Sequence, residues 1–290
     1  MKWDFLRSKG DQGLPEGSFS KVQRYTAFLI TYLPRFANVP LYPKRMIKGE
    51  PWRGDVLIRT LDMARRRKGL FLEFGVYRGK SITVSANRLK KRRFVGFDSF
   101  EGFPDDGRTD WDQSFALPSL PEVPENVELV KGFFSASLPE FCRTTDFDLA
   151  FLNVDCDIYS SARDVLFILH DFGKIAPGLP VYFDELLNYR GAYANELLAL
   201  FEFLEFTGFG IDCACVHDKV RTLDESIELA EAGAHPAWNA DVEAGFRQQA
   251  GVVINRSGID FSVLKDPVGR DRVFDIAERM VRAGLVDANI

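Results

Sequence analysis

The sequence predicts an α/β fold, a largely parallel sheet with helices on both faces. Three observations carry that expectation. From residue 70 onward, short apolar runs alternate with segments of helical period. The first run, Leu70-Phe71-Leu72-Glu73-Phe74, passes through Gly75 and Gly79 into a helix-like stretch over 81–89. Several runs end in an acid, namely Asp98, Asp155 and Asp184. Strand, glycine turn and helix is how a parallel sheet builds its first nucleotide site.

Taken in order, residues 1–17 are polar and Gly-rich, and are expected to be loosely ordered. Val22, Tyr25, Phe28, Leu29, Tyr32 and Leu33 predict a helix over 20–36. A proline-punctuated connection covers 38–51. A second helix is expected over 52–67, ending in Arg65-Arg66-Arg67-Lys68 and Gly69. Strands then follow at 70–75, 93–98, 127–130, 148–154, 179–183 and 211–216. Helices are expected over 81–89, 137–143, 160–172 and 192–207, crossover spacing that makes the sheet largely parallel. An insertion at 219–250, with a helix at 223–231, separates the sixth strand from a last strand at 251–255. The tail carries a helix at 271–283. The resulting division is a helical cap (1–68), a main domain (69–260) and a helical tail (261–290).

Composition narrows the function. The 290 residues are 46% hydrophobic with a net charge of −5, an ordinary globular balance without the basic surface of a nucleic-acid binder. The basic runs at 65–68 and 90–93 each precede a strand, at the edge of the sheet opposite a ligand site, and read as solvated helix ends. No apolar run is long enough to span a membrane, and the first residues lack a signal-peptide core. Cys213 and Cys215 would share a strand face with parallel side chains, which disfavours a bridge. Reduced thiols and a cytoplasmic protein are expected.

The chemistry-bearing residues lie at the predicted carboxyl edge. Glu73, Gly75, Tyr77, Gly79 and Ser81 form an acid-x-Gly-x-x-x-Gly turn, distinct from the G-x-G-x-x-G of dinucleotide enzymes. Asp98 can accept hydrogen bonds from both ribose hydroxyls of a nucleoside, or cap the loop that starts at Ser99. The 99–118 loop, with Asp105, Asp106, Asp110, Trp111 and Phe115, is a candidate lid or a packed surface loop. Phe133 or Phe134 can stack on a base and Ser135 can hydrogen-bond it, or both rings can belong to the core. Asp155, Asp157, Asp184 and Glu185 end two runs whose strands, if adjacent, lie about 5 Å apart. Carboxylates so placed either bind a hard divalent cation, Mg²⁺ first, or cap helices and pair with arginines such as Arg163 or Arg190.

Five ordered strings carry a resemblance: Glu73-Phe74-Gly75-Val76-Tyr77-Arg78-Gly79, Phe97-Asp98-Ser99-Phe100-Glu101-Gly102-Phe103-Pro104, Val123-Pro124-Glu125-Asn126-Val127-Glu128-Leu129-Val130-Lys131-Gly132, Asp155-Cys156-Asp157-Ile158-Tyr159 and Phe183-Asp184-Glu185. Over about residues 69–216 the chain resembles class I S-adenosylmethionine-dependent methyltransferases, and within them the macrocin O-methyltransferase family. The resemblance implies a Rossmann-like sheet of seven strands whose last strand is antiparallel and inserted beside the sixth. It implies S-adenosylmethionine as cofactor, held by Glu73, Gly75, Tyr77, Gly79, Ser81, Asp98, Ser99, Phe134, Ser135 and Asp155. Metal ligation by Asp155, Asp184 and Glu185 and a hydroxylated small-molecule acceptor follow in the same way. Asp157 is the candidate base and Asp155 the second. The three histidines, His170, His217 and His235, read as structural. Glu185 stands where that family usually has aspartate, and no histidine lies in 99–126. The other readings are an oxidoreductase, an RNA methyltransferase and an inert nucleoside-binding or scaffolding module. The inert module would be marked by loss of Glu73, Asp98 or the acid cluster, all of which are present. The N-terminal helices are expected to add to the substrate pocket or to a homo-oligomer contact.

Overall fold

A computed structural model describes residues 19–42, 45–47, 50–52, 55–104, 115–234 and 248–290. The expectations for 1–17, for Asp105, Asp106, Asp110 and Trp111, and for His235 lie outside these residues. Helix α1 (Lys21–Ala37) starts at Ser20, whose Oγ accepts from the Gln23 amide while Gln23 returns a bond to the Ser20 amide. Strands β1 (Arg45–Ile47) and β2 (Glu50–Trp52) pair as a short antiparallel ribbon where the sequence predicts only a connection. That ribbon runs through Trp52, so helix α2 (Asp55–Ala64) begins three residues later than expected. It also stops short of the arginine run, and Arg67 donates to the Gly178 carbonyl at 2.9 Å.

The sheet comprises β3 (Leu70–Phe74), β4 (Phe94–Asp98), β5 (Val127–Lys131), β6 (Leu149–Val154), β7 (Pro180–Phe183), β8 (Gly210–Val216) and β9 (Ala250–Asn255). Their spatial order is β5-β4-β3-β6-β7-β9-β8, and β9 is antiparallel to both of its neighbours. This is the Rossmann-like arrangement expected from the resemblance. The crossovers are α3 (Lys80–Arg88), α4 (Phe134–Thr144), α5 (Tyr159–Asp171) and α6 (Glu196–Thr207), followed by α7 (Leu223–Glu231) and α8 (Pro267–Arg282). Helix α4 begins earlier than the periodicity predicts, at Phe134. A 3₁₀ turn at Arg190–Ala194 replaces the first residues expected of α6. Helix α8 starts at Pro267, where Asp266 caps the Gly269 amide and a proline fits the first turn.

Alternation along β3 sorts its side chains into two layers. Leu70, Leu72 and Phe74 join a core with α1, α5, α6 and α8, while Phe71 joins Val56, Leu57, Leu61 and Ile82 of α2 and α3. The two described helices of 1–68 therefore lie on opposite faces of the sheet. Tyr25 and Phe28 of α1 pack on Phe201 of α6 at ring separations of 5.0 and 5.5 Å. Beside them Glu202 takes Lys21, Arg163 and the Tyr159 hydroxyl. Among the described residues, no helix is long and apolar enough to cross a membrane.

Candidate active site

The chain runs β3-β4-β5 toward one side of the sheet and β6-β7 toward the other, so a crevice opens where the direction reverses, at the carboxyl ends of β3 and β6. A cavity of about 690 Å³ occupies that position, within the range of roughly 300–1,000 Å³ of small-molecule sites. Its walls come from the turn after every strand there: Gly75 to Arg78, Asp98 and Ser99, Phe133 to Ser135, Asp155 to Asp157, and Asp184 with Glu185. Phe103 and Phe115 continue the wall, Phe115 lying edge-on to Tyr77 at 5.2 Å and to Phe103 at 5.1 Å.

Glu73 stands one layer behind this wall. It is 2% exposed, accepts from the Ser81 hydroxyl at 2.7 Å and the Asn153 amide at 2.8 Å, and so ties α3 and β6 to β3. Burial raises its pKa to about 7, against the lowering effect of those hydrogen bonds. The sign of the linkage is definite. Below the ordinary Glu pKa both folded and unfolded states hold the proton, and as pH rises toward 7 the unfolded chain gives it up first. The folded state is therefore expected to lose about 3 kcal/mol of stability between pH 4.5 and 7 on account of this group. Glu73→Gln can keep both partners, since its carbonyl accepts from Asn153 and its amide donates to Ser81. Denaturant unfolding at a series of pH values should show the wild type losing stability relative to the variant across that window. Parallel profiles would refute the assignment.

The two glycines of the turn have different neighbours. Gly75 has φ +91°, and a Cβ there would stand 1.7 Å from the Asp155 carbonyl oxygen. Its smallness thus serves the approach of two backbones rather than a ligand. Gly79 has φ +74° and N-caps α3, and its added Cβ would meet Val123 Cγ1 at 3.3 Å. Asp98 holds the turn itself. Its Oδ2 accepts from the amides of Val76 (2.9 Å) and Tyr77 (2.7 Å), and its Oδ1 from Phe100 (2.7 Å). These bonds fix Tyr77 and Phe100 at positive φ, +45° and +53°. Each carboxylate oxygen carries two lone pairs, so Asp98, a cavity wall, retains acceptor capacity. Ser99 supports the next loop, donating to the Gly102 carbonyl at 2.5 Å and accepting from the Glu101 amide at 3.0 Å.

At the start of α4, Phe134 packs edge-on against Phe74 at 5.2 Å while lining the cavity. Phe133 is the more exposed ring, and Ser135 lies beside it on the wall.

The acids converge as the sequence predicts. Asp155 and Asp184 follow adjacent strands, with the Asp184 amide donating to the Val154 carbonyl at 3.1 Å. Burial raises the pKa of Asp155 above the usual carboxylate range, and the charges of Asp184 and Asp157 add to the rise. Glu185, 2% exposed, is raised by burial, then by Asp157 and Asp184. A fifth acid, not anticipated from sequence, completes the group. Glu196 at the start of α6 is 0% exposed and accepts from the amides of Cys156 and Glu185, each at 3.2 Å. It straps together the two loops that carry the other acids, and burial raises its pKa first of all.

The cation expected of Asp155, Asp184 and Glu185 finds no support in this arrangement. Among the described residues no group of three His, Cys, Asp or Glu is placed to hold a metal ion. Asp184 Oδ1 is already engaged by the Tyr182 hydroxyl and the Gln249 amide, the latter at 3.3 Å. Tyr182 and Gln249, like Glu196, were not singled out from the sequence.

No curated protein matches the chain. Among solved structures, the calicheamicin methyltransferase CalS11 aligns at 24% identity over 54% of this chain and 73% of its own, with a TM-score of 0.45. The O-methyltransferase NovP aligns at 21% identity over 56% of this chain and 82% of its own, with a TM-score of 0.33. The family model described as "Methyltransferase domain" matches residues 72–186, the stretch from β3 past the end of β7 that builds every wall of the crevice named above.

Proposed function

We propose that the protein is an S-adenosylmethionine-dependent O-methyltransferase acting on a hydroxyl of a sugar or another small hydroxylated metabolite. The observation that carries this reading is the single cavity at the switch point, in which Gly75, Tyr77, Asp98, Phe134, Ser135 and the acids after β6 and β7 share one space, inside a segment matching a methyltransferase-domain model. CalS11 is described as a TDP-rhamnose 3′-O-methyltransferase, which supports a sugar hydroxyl as the first acceptor class to try. The 69–260 segment would hold the cofactor, with Leu57 of the preceding helix adding to the wall.

When bound, S-adenosylmethionine supplies a methyl on a sulfonium sulfur; as the acceptor oxygen bonds to that carbon the carbon–sulfur bond breaks, and neutral S-adenosylhomocysteine leaves. The chain's residues have two tasks. The first is alignment, since attack must be in line and at contact distance. Asp98, Tyr77, Ser135 and the Phe133–Phe134 pair surround the place of the nucleoside. The second is to accept the hydroxyl proton, for which Asp157 on the cavity wall is the base and Asp155 the second candidate.

The test is calorimetric titration of S-adenosylhomocysteine into purified protein, with Mg²⁺ and with excess chelator, followed by a screen of sugar-nucleotide and other hydroxylated acceptors with methyl-labelled S-adenosylmethionine. Micromolar binding and labelled product are expected. Folded protein that binds no S-adenosylhomocysteine under either condition would end this reading.

A further inference from the structure

Resting on the function proposed above, we propose that Gln249 is a positioning residue for the reaction: its amide holds Asp184 with one carboxylate oxygen turned to the cavity, and His217 dictates which way that amide points. The placement follows from strand register. Phe183 pairs with Ala250 across β7 and β9, and Val216 pairs with Ala250 across β8 and β9. One step further along, Asp184, Gln249 and His217 therefore stand in a row across three neighbouring strands. The His217 amide donates to the Gln249 carbonyl at 3.1 Å, which continues that register past the end of the strands. Residues opposite one another in antiparallel pairs are close enough for their side chains to bond.

The side-chain bonds have only one consistent polarity. Asp184 Oδ1 accepts here, so the group facing it is the Gln249 amide nitrogen, 3.3 Å away. The Gln249 carbonyl oxygen is then turned to His217 Nδ1, which must carry a proton to bond it. The reverse orientation would set the amide oxygen against the carboxylate. Gln249 is 0% exposed and His217 2%, so water does not offer either side chain an alternative partner. The Tyr182 hydroxyl donates to the same Oδ1. Two donors thus hold one oxygen of Asp184, while its Oδ2 has no hydrogen-bond partner among the described residues and Asp184 lines the cavity. That oxygen is the one presented to an acceptor. His217 follows β8, two strands from Asp184, and reads as merely structural from sequence because the link between them passes through a residue on a third strand.

The inference is tested in two ways. Long-range proton–nitrogen NMR on ¹⁵N-labelled wild-type protein should place the His217 proton on Nδ1. A proton on Nε2 alone would overturn the inference. In methyl transfer to the acceptor that turns over in the screen, Gln249→Leu should lower kcat by between about 10- and 100-fold, with KM for S-adenosylmethionine and affinity for S-adenosylhomocysteine within twofold of wild type. His217→Leu should do the same, whereas His217→Asn, which keeps an N–H donor toward Gln249, should restore kcat. This rescue is what a purely structural role would not give, and it guards against variants that fold poorly. Unchanged kcat in Gln249→Leu, or equal loss in both His217 variants, would overturn the inference. Failure of the wild type to bind S-adenosylhomocysteine would instead sink the methyltransferase reading, and the NMR result would still decide the polarity of the row.

Discussion

Gly75→Ala is expected to abolish binding of S-adenosylhomocysteine and to lower folding stability by about 3 kcal/mol or more. The residue has φ +91°, a region costly for any side chain, and the new Cβ would lie 1.7 Å from the Asp155 carbonyl oxygen and 2.8 Å from its carbonyl carbon. Those are backbone atoms, so no rotamer change relieves the overlap. The backbone is also held from both sides. The Gly75 amide donates to the Phe97 carbonyl and the Asp155 amide to the Phe74 carbonyl, each at 2.9 Å. Either the turn after β3 or the start of the acid loop must move, and both are cavity walls. Gly173→Ala is the control: its φ is +67°, but nothing stands within 4 Å of the added Cβ, so only the conformational cost of roughly 1–2 kcal/mol remains. Chemical unfolding and calorimetry on the two variants separate the effects. A folded Gly75→Ala protein with wild-type affinity would show that the wedge between β3 and β6 does not shape the site.

That case also shows where sequence reasoning reached and where it stopped. The strands were legible because a parallel sheet buried on both faces needs near-continuous apolar runs, as in Leu149-Ala150-Phe151-Leu152. Acids at the ends of those runs were legible for the same reason, as the points where apolar sequence stops. The cause behind Gly75 was not legible: its partner, the Asp155 backbone, is distant in sequence and meets it only through the β3–β6 pairing. The ribbon β1–β2 was hidden because Pro51 reads as a breaker, although in a two-stranded ribbon a proline needs only to avoid a donating position.

Glu196 and Gln249 were missed for a shared physical reason. Glu196 opens a strongly apolar helix, where periodicity reads an acid as a solvated first-turn charge. Its burial arises because the loops after β6 and β7 close over it and offer it two amides. Gln249 precedes a strand of ordinary appearance, and its partners are set by register on either side of an antiparallel insertion. Neither acid nor amide has a local signature. What could have raised them is a question put to topology: which residues stand one step past each strand end on the side where the acids gather.

Asp157→Asn is expected to lower kcat by about 100- to 10,000-fold, the range for loss of a general base, while leaving affinity for S-adenosylhomocysteine near wild type. The substitution is unusually clean. Asp157 has φ +62°, and Asn is the residue that best tolerates that left-handed conformation, so the loop after β6 can keep its path. The change removes a charge without removing volume. Its electrostatic consequences are directional as well, because the charge of Asp157 is among the causes that raise Asp155 and, after burial, the first that raises Glu185. Both neighbours should therefore ionise more readily in the variant, which offers a second candidate base on the same wall. Asp155→Asn resolves that ambiguity, since Asp155 donates only its main-chain amide to Phe74 and its side chain has no hydrogen-bond partner among the described residues. If Asp157→Asn turns over nearly normally and Asp155→Asn does not, the proton goes to Asp155. Loss confined to Asp157→Asn, with cofactor affinity intact in both variants, assigns it to Asp157.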